Sequence, residues 1–439
     1  MLARNLATTA GSSVLAMPLS FAASVLLARW LGAEQRGILA LAILIPDTVY
    51  LFATLGLSTT HLVFAGKYPE KHGAIAFQSL AQPVVAGVLV FALYGYLLGC
   101  RPAWFERFEV VGRGNHLLAS FIVSFNLAYV NFQCAILGAN RITAVNISNL
   151  LTPVARIVLT VTLIWWMKMG VTGGILSQLG CFAVLLIYLL IALATHVPVR
   201  TWKPDWAFMK KSVDFSLKVY PRFIAAFFLI RIGQYMIAYL LPNSDEALGH
   251  YALASQFALL IWVLPQSLQT VFLPHLSVTH ANRAALSLRV TRMLFLALVP
   301  VLVLLTLGGP LIPLLAGRDY EASVAPFMWF LPGVLFFGAT RPLDSYLTHV
   351  EKPFYGSIIT AAGSVANVGL NLLLIPAMSI SGAALALSLS YFLMSLLTVA
   401  CFWHESRVSW RRLWVQSSDF ADMLRPVRAL VVRFRSRFA

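Results

Sequence analysis

Two arginines stand where charge is expensive. Arg156 and Arg231 each lie at least ten residues inside a long apolar stretch, too deep for the side chain to reach water easily by extending along its own stem. A cation at that depth costs on the order of 2.5 to 3.5 kcal/mol on insertion scales, so it persists only where it faces other protein groups or a wet interior. Asp47, beside Pro46, is the most deeply placed acid. Two chemistries are open to these three residues: lining a lumen in contact with a polar solute, or forming a salt bridge that only holds helices together. Arg341 and Asp344 are three apart, on one face of a helix, and can pair with each other. Arg222 shares a face with Lys218 and Asp214 at intervals of four, close to a span end, where snorkelling is the first account of it. Gln234, with Gln256, Gln266, Gln269, Asn126, Asn131 and Gln133, adds neutral polar groups at membrane depth and suggests a wet cavity. The candidate substrate-binding set is therefore Arg156, Arg231, Asp47, Arg341, Asp344, Gln234 and Arg222.

Nothing in the pattern points to catalysis. Cys100, Cys134, Cys181 and Cys401 lie within or at the edges of apolar runs, without the close spacing that zinc or redox sites use. The nine histidines contain no metal-ligand pair at helical spacing, so no metal site is expected. Gly112-Arg113-Gly114 lacks a third glycine and a preceding strand, which makes it a turn instead of a dinucleotide fingerprint. No cofactor is expected, and the chain reads as a non-enzyme.

The elements that must position the candidates are membrane helices. With 59% hydrophobic and 11% charged residues and a mean hydropathy of +0.81, the chain has too little polar surface to cover a water-soluble globule. Twelve apolar runs of about 20 residues or more, the length that crosses hydrocarbon, can be bounded by charges and Gly/Pro clusters. The fold class is thus all-α, a polytopic membrane protein with six helices per half. The halves are related. Gly37-Ile38-Leu39-Ala40-Leu41-Ala42 returns as Gly249-His250-Tyr251-Ala252-Leu253-Ala254, and Gly173-Gly174 returns as Gly382-Ala383. A duplicated bundle places its substrate site between the halves and works by rocking one against the other. Prolines inside the runs, among them Pro18, Pro46, Pro153 and Pro332, bend helices and free carbonyls.

Charge placement gives orientation and boundaries. With Met1 inside, 20 of the 32 Lys and Arg fall on cytoplasmic segments and 7, Arg36 among them, fall outside. The positive-inside rule then puts both termini in the cytoplasm. The excess charge of +16 orients the chain in the membrane and contacts anionic lipids; it is no sign of nucleic acid. The expected organisation is a six-helix lobe over 1–196, a basic linker over 197–212, a second lobe over 213–403 and a basic tail over 404–439. That tail reads either as an amphipathic segment on the anionic leaflet or as a disordered basic extension. Outside connections are short and leave no room for a further domain.

The segments Ala28-Arg29-Trp30-Leu31-Gly32, Gly37 to Ala42 and Leu55-Gly56-Leu57, repeated in type at Leu240 to Ala254 and Leu347 to Leu397, resemble bacterial polysaccharide or O-antigen flippases. These belong to the multidrug/oligosaccharidyl-lipid/polysaccharide exporter superfamily. The resemblance implies two six-helix lobes around a central cavity in the bacterial inner membrane. It also implies alternating access that moves an undecaprenyl-diphosphate-linked oligosaccharide outward, with the span arginines holding the diphosphate. Polysaccharide polymerase and assembly proteins are the implied partners. The chain departs from the pattern in that Arg231 is followed by Ile232-Gly233-Gln234 where such flippases commonly carry an acid, and two further helices usual in lipid II flippases are missing; the first run also holds no acid, which weakens a close match to cation-coupled drug exporters. A cation-coupled multidrug antiporter is the alternative, and a membrane glycan polymerase or ligase is the enzyme alternative. The first would favour acids in the cavity, and the second a sizeable outside loop.

Overall fold

The structure, a computed structural model, describes residues 2–242, 244–262, 264–266, 268, 283–350, 353–409 and 416. All regular structure among them is helical. In chain order the helices are α1 (Leu2–Thr54), α2 (Leu57–Lys67), α3 (His72–Cys100), α4 (Arg113–Gly138), α5 (Ile142–Thr160), α6 (Gly170–Ala194), α7 (Trp206–Leu240), α8 (Ser244–Ala258), α9 (Arg283–Gly308), α10 (Leu311–Ala316), α11 (Val324–Ala339), α12 (Arg341–His349) and α13 (Pro353–Ser406). Short 3-10 segments join several of them, and a π turn over Val161–Trp166 extends α5.

Nine segments among the described residues are long and apolar enough to cross a bilayer. Two of these, Leu15–Thr54 with 40 residues and Phe354–Ser406 with 53, are about twice the ~20 residues that one crossing needs. Each is a hairpin. At Gly32 the backbone turns to φ 74°, ψ 173°, a conformation that glycine adopts without steric cost. Arg36 then reaches back to hydrogen-bond the Ser24 carbonyl at 3.0 Å, whereas twelve residues along a straight helix would separate them by about 18 Å. The second reversal is at Ser379, φ 54°. A Cβ placed on Gly382 would lie 2.0 Å from the Leu374 carbonyl oxygen. The eighth of the twelve expected runs, 248–276, begins as α8 and a 3-10 turn over Leu259–Trp262, and most of its remainder lies outside the described residues.

Several boundaries differ from the expectation. One of the twelve expected apolar runs, from Gly37 to Ala65, is interrupted where Leu55 and Gly56 both take positive φ, and it restarts as α2. Gln82 satisfies the carbonyls freed there, donating to those of Ala53 at 2.6 Å and Thr54 at 3.0 Å. The end of the expected linker is already helical. Asp205 caps α7, accepting the Phe208 amide at 3.0 Å, the arrangement that favours Asp at an N-cap. The first half of α7 packs on α2, with the Phe208 and Phe215 rings against Phe64. Its second half is bonded to α13, through Ser364 to the Ala225 carbonyl and Asn367 to the Leu229 carbonyl. One helix thus serves both lobes. The tail beyond 409, apart from 416, lies outside the described residues.

The repeat has a structural reason. A Cβ on Gly37 would sit 1.5 Å from the Asp245 carbonyl oxygen, and one on Gly249 would sit 1.9 Å from that of Ala33. Each glycine abuts a residue four positions before the other, so the second leg of α1 and α8 cross backbone to backbone. Between helices in a bilayer the apolar effect gives little drive, and such close approach supplies the packing instead. The same economy appears where Gly333 meets the Ser388 backbone and where Ala383, Ala386 and Ser390 are fully buried. Apolar side chains such as Val88, Leu89, Leu304, Leu307, Val365 and Leu373 are exposed on the outer faces, as a lipid-facing surface requires.

Candidate substrate cavity

Next to this crossing, residues of both halves line a cavity of about 400 Å³. The second leg of α1 brings Arg36, Ala40, Ile43 and Asp47 to its wall, a set at helical spacing. Helices α5 and α6 bring Arg156, Gly174 and Gln178; α7 brings Ile230, Arg231 and Gln234; α8 brings Tyr251, Ser255 and Gln256; α11 and α13 complete it with Phe330, Val334, Leu387 and Tyr391. Four of the expected residues, Arg156, Arg231, Asp47 and Gln234, therefore meet in one place, drawn from both lobes.

Their contacts differ in kind. Arg231 holds Asp47 across the lobes, Nη2 to Oδ2 at 2.5 Å, and donates to the Gln234 Oε1 at 3.0 Å from Nη1. Beside that ion pair the Thr48 hydroxyl bonds the Tyr235 hydroxyl, again between lobes. Arg156 donates to the Gln178 Oε1 at 3.1 Å, and no carboxylate among the described residues pairs with it. The wall therefore holds more cation than acid: three guanidinium groups against one carboxylate among its described residues.

The third guanidinium is Arg36, which the charge census assigns to an outside loop. It is only 3% exposed and donates to the Ser24 carbonyl, the Ser24 hydroxyl at 3.3 Å and, across the lobes, the Gln256 Oε1 at 2.6 Å. Its signal was present in the spacing, since Arg36 and Asp47 fall on one helical face. What hid it was the turn at Gly32, which starts the next helix earlier than the apolar run suggests.

Arg341 and Asp344 stand elsewhere. They pair at 3.5 Å on α12, in a smaller pocket of the second half with Thr340, Thr360 and Thr398. The Arg341 guanidinium lies 4.9 Å from the ring centroids of both Trp262 and Phe337, a cation–π arrangement. Phe337 in turn stacks on Tyr391 with centroids 4.6 Å apart, and Tyr391 faces the central cavity. The side chain of Arg222 lies outside the described residues. Of the neutral polar groups, Gln256 lines the cavity, whereas Asn131 bonds Gln82 and Gln133 bonds Tyr129, Ser148 and Asn149 within the first half. Gln269 lies outside the described residues. A second, more apolar cavity of about 470 Å³ adjoins the first, sharing Leu27, Arg156, Gln178, Gln256 and Leu259 with it, and runs along the face of α1 bearing Met17, Ser20, Phe21 and Ser24.

Comparison with known proteins places this architecture. The chain is similar in structure to the lipid II flippase MurJ in an inward closed conformation, with a TM-score of 0.76 at 15% identity over 98% of this chain and 93% of that one. It is similar to an inward-facing multidrug resistance MATE family transporter of the MOP superfamily, with a TM-score of 0.69 at 15% identity over 90% of this chain and 98% of that one. It is also similar to the MATE multidrug transporter DinF-BH, with a TM-score of 0.67 at 16% identity over 92% and 95% of the two chains. At these identities the likeness is one of fold. No curated protein matches the chain. The profile of one family, described as polysaccharide biosynthesis protein, matches residues 2–280. This multi-pass helical membrane protein, with a cation-rich cavity between its two halves, therefore belongs to the polysaccharide biosynthesis protein family.

Proposed function

We propose that the protein flips an undecaprenyl-diphosphate-linked oligosaccharide from the inner to the outer leaflet of the bacterial inner membrane, for O-antigen, capsule or exopolysaccharide synthesis. The observation that carries this is the cavity's charge. Arg36, Arg156 and Arg231 against Asp47 leave an excess of two positive charges, equal to the two negative charges of a diphosphate esterified at both ends. Guanidinium forks match phosphate oxygens two at a time, and in a low-dielectric site that match is strengthened. Family membership and the flippase-like fold support the same reading. The antiporter alternative is disfavoured by the sign of the field, since a cationic drug would meet like charge. The adjoining apolar cavity suits a lipid-borne substrate, because moving a long prenyl chain through water would cost about 0.8 kcal/mol for each CH₂ exposed. Both termini are cytoplasmic in this reading, and the crossing at Gly37 and Gly249 closes the outward face. No bond is made or broken; the lobes rock about the cavity. The experiment is leaflet-specific detection of the lipid-linked glycan in a deletion strain. Accumulation in the inner leaflet, reversed by the restored gene, is expected, and unchanged outer-leaflet glycan would refute translocation.

A further inference from the structure

We infer that Asp47 is a built-in stand-in for a substrate phosphate: its carboxylate occupies Arg231 while the cavity is empty and yields that guanidinium to an anionic ligand, so that binding unties the two lobes. The inference rests on the diphosphate reading above and adds to it a division of labour among the three arginines.

The contacts carry it. Arg231 and Arg36 both reach across the lobes, to Asp47 at 2.5 Å and to Gln256 at 2.6 Å. Arg156 alone of the three makes no bond across the lobes, its hydrogen bond going to Gln178 of its own lobe. An incoming diphosphate finds Arg156 without a carboxylate to displace, and that guanidinium is its first receptor. Among the described wall residues the remaining charge of the diphosphate can then be met by Arg36 and Arg231. Each holds an inter-lobe bond that a phosphate oxygen can replace.

A carboxylate and a phosphate oxygen pair offer a guanidinium the same fork of acceptors, so Asp47 and the ligand compete for one set of donors. Removing the carboxylate should strengthen anion binding and weaken transport, because the empty carrier would have nothing with which to retake Arg231 and expel the anion. An equilibrium can be shifted by a ligand only through a difference in its contacts between states. Here that difference is the displaced pair. Asp47 is accordingly a positioning and specificity residue, and Gln256 plays the neutral counterpart on Arg36.

The test measures inorganic pyrophosphate binding to the purified full chain by titration calorimetry, alongside export in cells. Asp47→Asn should tighten pyrophosphate by about tenfold, the change that follows from losing one competing charge pair, and should reduce export. Asp47→Glu, which keeps the carboxylate, should return both readings towards wild type. Arg156→Gln should abolish pyrophosphate binding. Unchanged or weaker affinity in a folded Asp47→Asn protein would overturn the stand-in role, as would absence of pyrophosphate binding in wild type and variant alike. The leaflet assay on the deletion strain decides separately whether translocation itself stands.

Discussion

The backbone crossing of the halves offers the sharpest mechanical test. Replacing Gly37 by Ala puts a methyl carbon 1.5 Å from the Asp245 carbonyl oxygen, and relieving that contact to an ordinary separation requires the helices to part by nearly 2 Å. The obstruction is backbone on both sides, so no side chain can rotate out of the way. Overpacking of this kind costs about 1 to 3 kcal/mol, and here the cost falls only on the state in which the crossing is closed. The population of that state should drop by about 5- to 150-fold relative to the open one. Glu34 lies close enough to Asp245 for their charges to interact, which makes this pair of positions a probe of closure. In a background lacking Cys100, Cys134, Cys181 and Cys401, disulfide formation between Glu34→Cys and Asp245→Cys should be fast in the parent and slow once Gly37→Ala is added. Gly249→Ala should act in the same direction, since its methyl meets the Ala33 carbonyl. Equal crosslinking with and without the alanines would refute the account of the crossing as a closure that must open. A completed crosslink should stop export reversibly, and undiminished export in that state would rule out rocking about this seam.

Neutralising Arg36, Arg156 or Arg231 to Gln should abolish glycan export while the protein stays inserted and abundant, and Lys should rescue only partly for want of the bidentate fork; loss of protein on immunoblots would instead mark a structural salt bridge. Reporter fusions after Val197 and after Ser406 should read cytoplasmic and one after Asn243 periplasmic, and a periplasmic reading from Ser406 would mean an odd number of crossings. At the loop that leads into α7, Lys71 bonds Asp205 at 2.8 Å, which holds the Asp205 carboxyl below its ordinary value and raises the Lys71 ammonium. A depressed acid contributes stability above its unfolded pKa of about 3.9 and loses it as pH falls through the lower folded value, while the raised lysine contributes fully below about 10.4. The melting-temperature difference between wild type and Asp205→Asn, which keeps an N-cap side chain, should therefore be constant from about pH 5 to 9, shrink as pH falls below about 4 and shrink again as pH rises beyond about 10.4.

Much of the site was legible because the bilayer imposes its demands residue by residue. Arg156, Arg231, Asp47 and Gln234 were readable as interior groups from depth alone, since an unpaired polar group facing lipid is too costly to keep. Arg341 and Asp344 were readable as a pair, but depth says nothing about which of two interiors a side chain enters. They serve a pocket of the second half, and among the described residues the stacked rings of Phe337 and Tyr391 lead from it to the central cavity. Arg36 was misplaced because apolar-run boundaries locate helix ends only loosely, and the reversal at Gly32 sets the true end through backbone conformation.

From its sequence alone the chain is a duplicated, all-helical membrane bundle with cations buried in it. These properties follow from composition, run length and the spacing of a repeated glycine motif, all of which act locally or through simple periodicity. The tertiary structure decided what those cations face. Asp47 and Arg231 are 184 residues apart in the chain, and Arg36 and Gln256 are 220 apart. No spacing rule reaches across such distances. They meet because Gly37 and Gly249, lacking side chains, let the two halves cross at backbone contact, and that crossing sets which faces of α1, α7 and α8 close around the same space.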